Sequence, residues 1–468
     1  MRAAINTGLR AGVGRCDITP APGTPQGGWG AQTHQRGLEA DMPMYASAIV
    51  LEQGDTRVLI VDADAIGFNA EWTEKILAAL AELTGIPKAN IRFSCTHTHA
   101  GPNTFRLENI LEGRDMAQNY LESLPARIAG AAWCAMKAMV DVRVGAKTGA
   151  SYINRNRRVF APDGECIVGV NDEATADHSL GAIRFDREDG TCLASIVHYA
   201  CHPTICGWQN IRFTPDYPGP MRETVEREIS GMCFFLQGAA GDLGPRKGFT
   251  GDLNVYRKLG HELGLAAAAM LAEIDTHPEQ ATYRATVPSG ANIAEYSYAP
   301  LAQAVPVTAM ISRGVSLPTR KLESEAEIAE KLSQLRAEVQ DLRTKGNLEQ
   351  MRRVQARATQ MGWRFQNAQL YGSVSHVAWP VQVIRIGDIA LVSTAGEPFS
   401  SIGERIRKQS LFSFTFVSGY SNGGFGYIPD RQAYVEGGYE VAATPFSPDA
   451  ADVLVQECLH MLHELFEQ

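Results

Sequence analysis

The 468-residue sequence predicts a layered α/β domain, a mixed β-sheet with flanking helices. Short apolar strand-like runs alternate with segments of helical period along most of the chain. Several of the strand-like runs end in a His or Glu placed directly before a Gly or Pro turn, where open α/β sheets gather their chemistry. Hydrophobic residues make up 45% and charged residues 20% of the chain, which suits a buried core. No run of eighteen apolar residues could cross a bilayer.

Taken in order, TRVLIVDADAIGF (56–68) reads as a buried strand running into a loop. EWTEKILAALAELTG places Trp72, Ile76, Leu80 and Leu83 on one helical face and closes with Gly85. IRFSCTHTH is the next strand, and 119–140 a long helix. LASIVHYACHPT and GMCFFLQGAAGD follow as strands, with another helix over 256–274. In KLESEAEIAEKLSQLRAEVQDLR, Ile328, Leu332, Leu335, Val339 and Leu342 form one apolar stripe. TKGN breaks it, and a second helix follows to about Met361. These segments predict an exposed helical hairpin inserted at about 321–362. Such an arm packs on its own domain or joins two copies as a homo-oligomer. No Ser/Pro-rich linker, repeat or low-complexity tract divides the chain, so the expectation is one domain over 1–468.

A net charge of −9 argues against a nucleic-acid partner, because phosphate binding needs clustered Lys and Arg. The basic cluster NRNRR (154–158) is the exception. The N-terminal stretch MRAAINTGLRAGVGRCDITP lacks the apolar core and cleavage site of a secretory signal, so a cytoplasmic location without stable membrane association is expected. Nine cysteines without a CxxC pair fit reduced thiols.

The chemistry centres on FSCTHTHAGP. In a strand, His97 and His99 would point to one face with Cβ atoms roughly 7 Å apart, close enough to serve one site. An HxH alone also suits a packing role. His202 in VHYACHPT and Glu397 in AGEPFS end two further strands in the same way. Two imidazoles and a carboxylate on three strand ends make a zinc set with a position left open for water. His198 reads as a packing residue or a support for the ligands. Cys201 and Cys206 are thiolate ligands or free buried thiols. Asp62 and Asp64 orient a ligand histidine or cap the following helix. The glycines of GGWG (27–30) allow close backbone approach to substrate or serve turn geometry.

The ordered segments GRCDITPAPGTPQGGWG, THTHAGP, the NR of INRNRR, HPT, GAAGDLGP, GEPFS and GYIPDRQAYVEGGYE together resemble the catalytic domain of the neutral/alkaline non-lysosomal ceramidase family. The resemblance implies a ceramidase-like fold, a zinc-dependent amidohydrolase, and one Zn²⁺ per chain held by His97, His202, Glu397 and Tyr427. It assigns His99 to the substrate and Arg155 to the arginine of the NR pair. Tyr439 would polarise the scissile carbonyl, with Tyr434 as the competitor. Asn154, Gly28 and Tyr434 are the expected substrate contacts. Where the family carries a serine in GDxSP, this chain reads GDLGP and has Gly244. Water activated by the metal is then the expected nucleophile, with Asp242 as an orienting carboxylate. The family's C-terminal immunoglobulin-like domain and its secretory signal have no counterpart in the sequence. A small soluble amide or lactam is therefore expected as substrate rather than ceramide. Two alternatives remain: an amidohydrolase-type barrel in which His97 and His99 both bind metal, and a metal-holding scaffold without activity.

Overall fold

The antiparallel pair Tyr45–Gln53 and Thr56–Ala63 shows how the layers arise. Ala46, Ala48, Val50, Leu59 and Val61 face one way, and Ile49, Leu51, Val58 and Ile60 the other. Both faces are apolar, so the sheet must be covered on both sides. The computed structural model of the chain describes residues 8–468 apart from 106, 108, 109, 303–305 and 424–425. It has two main sheets. The first has eight strands in the order Met232–Gln237, Cys192–Tyr199, Ser179–Arg187, Val140–Ala150, Arg10–Asp17, Tyr45–Gln53, Thr56–Ala63, Ile91–Cys95. The second has four, in the order Thr308–Pro318, His376–Ile386, Ile389–Thr394, Phe414–Ser418.

The two sheets pack face to face through Ile60, Phe185, Ile196, Phe234, Ile384, Leu391 and Phe416. Helices Ala70–Thr84 and Arg114–Lys137 cover one half of the large sheet's outer face. Pro218–Ile229 and Leu253–Ala272 cover the other half. Ser400–Gln409 and Ala450–Phe466 cover the small sheet. The result is helix, sheet, sheet, helix, the layered α/β architecture expected. Neither sheet closes on itself among the described residues, which removes the barrel alternative: Met232–Gln237 and Ile91–Cys95 stand at opposite edges of the larger one.

Within the two main sheets three strand pairs are parallel, and each is linked through a helix, as a parallel connection requires. They are Thr56–Ala63 with Ile91–Cys95, Cys192–Tyr199 with Met232–Gln237, and Ile389–Thr394 with Phe414–Ser418. Their C-terminal ends meet. Single bridges tie Ser94 to Ser421 and Gly238 to Ser418. Beneath them lies Arg92, fully buried between the sheets. It donates to the hydroxyls of Ser393 (2.6 Å), Ser94 (2.7 Å) and Ser418 (2.9 Å).

The helix over Ala70–Thr84 starts on the Asn69 side chain and, as its pattern predicts, ends at left-handed Gly85. The helical hairpin is Glu325–Thr344 and Leu348–Tyr371. Its second helix runs past Met361 because the single Gly362 does not stop a helix that packs laterally on the body. The strand expected over IRFSCTHTH stops at Cys95, short of both histidines.

Candidate metal centre and active site

Beyond Cys95 the chain leaves the sheet, and His97 adopts φ 68°, a left-handed conformation that only a specific loop imposes on histidine. Its backbone N–H donates to Ala65 O at 2.9 Å. This turn, rather than the pleat of a strand, aims both side chains at one point, with Nε2 of His97 and His99 3.3 Å apart. Each imidazole is anchored at its far nitrogen. Nδ1 of His97 donates to Ile66 O (2.6 Å), that of His99 to Gly28 O (2.9 Å), and that of His202 to Ala240 O (2.7 Å). That pattern fixes the tautomer and leaves each Nε2 with its lone pair facing the centre. Glu397 completes the set, its Oε2 3.1 Å from His202 Nε2 and 3.7 Å from His97 Nε2.

Burial pushes all three imidazoles down, His99 to about 4, so they stay neutral across the physiological range. Neutral imidazole is the form that binds metal. The donor atoms of His97, His99 and His202 lie within 4.8 Å of one another. Three lone pairs and a carboxylate crowded together repel unless a cation or proton lies between them. Imidazole nitrogen with one carboxylate fits a borderline divalent ion such as zinc.

Tyr427 joins through the backbone: Glu397–Pro398 pairs in parallel with Tyr427–Ile428, in the register Glu397 to Tyr427. Burial, and then the charge of Glu397, hold the Tyr427 phenol well above its ordinary pKa. Tyr439 lies one layer out, its ring 5.4 Å from that of Tyr427 and 5.0 Å from that of Trp363. Gly28 meets the site through its carbonyl on His99; a Cβ there would sit 2.2 Å from His99 O, so only glycine fits.

Other expected residues lie elsewhere or are already bonded. Arg155 pairs with Asp172 at 2.7 Å, and Asp172 is largely exposed. Asn154 is buried and holds Ala200 O and Asp177 O through Nδ2, which braces the strand end before His202. Tyr434 donates to Phe446 O at 2.8 Å. Asp242, pushed up to about 6 by burial, accepts from Ser400 N (2.6 Å) and Ser400 Oγ (2.8 Å), and so anchors the turn that carries Glu397. A Cβ on Gly244 would touch Arg157 Cβ at 3.4 Å. His198 donates to Val417 O, and Cys201 and Cys206 are buried free thiols. Asp64 forms a two-armed ion pair with Arg222 at 2.6 and 2.9 Å, while burial pushes Asp62 up to about 8.

Three site residues escape the sequence reading. Trp29 of GGWG places its ring 5.0 Å from that of His99. Tyr420 stacks 4.3 Å from His97. Arg157, rather than Arg155, is buried at the centre. Its Nε donates to Glu440 (3.0 Å), its Cζ lies 5.3 Å from the Tyr427 ring, and its Nη2 is buried without a partner among the described residues. Burial alone would lower its pKa, but Tyr427, Glu440 and Glu397 outweigh it and keep the guanidinium charged. The only signal available was that INRNRR contains the Asn-Arg pair twice.

Residues 9–247 match the family described as neutral/alkaline non-lysosomal ceramidase, N-terminal. Among solved structures, the chain is similar to the neutral ceramidase from Pseudomonas aeruginosa. The TM-score is 0.67 at 19% sequence identity, over 98% of this chain and 74% of that one. It is also similar to a ceramidase complexed with C2, with TM-score 0.66 at 18% identity over 98% of this chain and 75% of that one. No curated protein matches.

Proposed function

Because the chain belongs to the neutral/alkaline non-lysosomal ceramidase family, hydrolases that cleave an amide bond, we propose that it is a zinc-dependent amidohydrolase acting on the C–N bond of a small soluble amide or lactam. The observation that carries this reading is the convergence of neutral, carbonyl-anchored imidazoles on the Glu397 carboxylate. His97, His202 and Glu397, with Tyr427 beside them, would hold one zinc per chain. Zinc in that position supplies a Lewis acid for the carbonyl and lowers the pKa of water.

The chain's own groups do the rest. His99 is neutral near pH 7 and is held by Gly28, so its Nε2 can take a proton from the attacking water and return it to the leaving nitrogen. The spare N–H of Arg157 suits the carbonyl oxygen as negative charge develops there. Tyr439, whose ring lies 5.4 Å from that of Tyr427, is the second candidate for that role. Gly244 offers no hydroxyl, which is why water is assigned as the nucleophile.

A second reading makes His99 a third imidazole ligand, and the 3.3 Å approach of its Nε2 to that of His97 favours it. Elemental analysis with paired variants decides. Purified protein should hold close to one zinc, and a chelator should abolish turnover of a panel of N-acyl amides and lactams until zinc is restored. His97→Ala should lose zinc and activity together. His99→Ala should keep zinc while kcat falls on the order of 10² to 10⁴. Loss of zinc in both variants would favour the three-imidazole centre. A zinc-replete protein inert on the whole panel would sink the amidohydrolase reading.

A further inference from the structure

The hydroxyl of Tyr420 is buried and has no hydrogen-bond partner among the described residues. Native interiors rarely leave a phenol dry, so each such group calls for an explanation. The backbone adds a second oddity. Tyr420 sits at φ 57°, a left-handed conformation that aromatic residues seldom take. Two backbone bonds hold it there, Tyr420 N to Gly396 O (2.9 Å) and Cys95 N to Tyr420 O (3.2 Å). In that pose its ring lies 4.3 Å from that of His97 and 6.0 Å from that of His202.

A small cavity, with room on the scale of one water molecule, adjoins this ring. Tyr420, His97 and Glu397 line it, together with the apolar Ile66, Phe68 and Phe93. A wholly apolar cavity stays dry, whereas one offering several polar partners holds water.

We propose that this cavity is a built water site of the catalytic centre, and that Tyr420 is a further catalytic residue whose hydroxyl donates to the water held there. The proposal rests on the amidohydrolase reading. The water accepts from Tyr420 through one lone pair and donates one O–H to Glu397. Its second lone pair stays free to attack the amide carbon. As the new O–C bond forms, the water's other O–H gives its proton to Nε2 of His99, the base already assigned to this reaction. As the C–N bond breaks, a proton returns to the nitrogen, so that water and amide give acid and amine with no other reactant.

Tyr420→Phe keeps the ring and removes only the hydroxyl. Zinc-loaded wild type and variant are compared in high-resolution crystal structures and in hydrolysis of N-acyl p-nitroanilides from acetyl to octanoyl. The wild type should show an ordered water bonded to Tyr420 Oη and Glu397 that the variant lacks. The variant should keep its zinc while kcat falls at least tenfold. An empty cavity in the wild type, or a variant with unchanged kcat, overturns the proposal. If neither protein turns over any probe, the amidohydrolase reading fails, and the electron density alone decides the water site.

Discussion

Arg155 and Arg157 lie two positions apart on one strand, yet one meets solvent and the other the catalytic centre. The strand Asn154–Phe160 is irregular in its pairing with Cys166–Asn171 between Asn156 and Arg158. That bulge breaks the alternation and turns both Arg157 and Arg158 inward, onto Glu440. Arg155→Gln should therefore leave stability within about 0.5 kcal/mol of wild type, as for other half-exposed surface pairs. Arg157→Gln should lower kcat/KM by an order of magnitude or more and destabilise by about 1–3 kcal/mol, because it strips a bond from a buried carboxylate. Amide kinetics and urea unfolding of the two variants check the contrast; equal effects would return the role to Arg155. His97, His202 and Glu397 were legible in the sequence because each follows an apolar run and precedes a turn. Arg157 was not, since the bulge belongs to the pairing of two strands and not to the hexapeptide INRNRR. Nor was Tyr420, whose orphan hydroxyl and left-handed backbone exist only in the folded chain.

At the scale of elements, the helical hairpin shows what a local pattern can and cannot reveal. Its buried residues Ile328, Leu332 and Leu335 follow the predicted stripe, because helical period is a property of neighbours in sequence. Where the second helix docks is a long-range matter. Thr359, Trp363 and Asn367 are spaced four apart and so share a face. Thr359 Cγ2 lies 3.9 Å from where a Gly30 Cβ would stand, Trp363 packs on Tyr439, and Asn367 donates to Ala443 O at 2.8 Å. The hairpin thus touches both the loop that holds His99 and the helix that begins at Tyr439. Trp363→Ala should shift KM unevenly across a graded acyl series while zinc content stays at its wild-type level. A KM profile parallel to wild type throughout would show that the hairpin plays no part in choosing substrate.

For the molecule as a whole, the decisive feature is that three parallel strand pairs from two sheets end at one place. The alternation of strands and helices foretold the layers, but it could not say that the second sheet would bring Glu397 and Tyr420 against the first. Arg92 holds the sheets in that relation, and burial pulls its pKa down to about 10. Arg92→Leu would take a donor from the hydroxyls of Ser393, Ser94 and Ser418, of which Ser94 and Ser418 keep bonds to Asp62 and Gln237 O. Stability should fall by about 3 kcal/mol or more, read as a lower urea midpoint, with zinc binding weakened although Arg92 contacts no ligand. Zinc affinity unchanged in the folded variant would show that the centre does not depend on this contact. The same contact also sets a schedule for synthesis. Ser393 lies 301 residues beyond Arg92, and Ser418 lies 326 beyond it. During translation, His97, His99 and His202 all leave the ribosome long before the carboxylate and the serines that complete their surroundings. Closing such distant contacts is slow. The growing polypeptide therefore carries its imidazoles uncoupled from Glu397 until the 195 positions that separate His202 from that carboxylate have been made, and hydrolytic competence waits on the arrival of the second sheet.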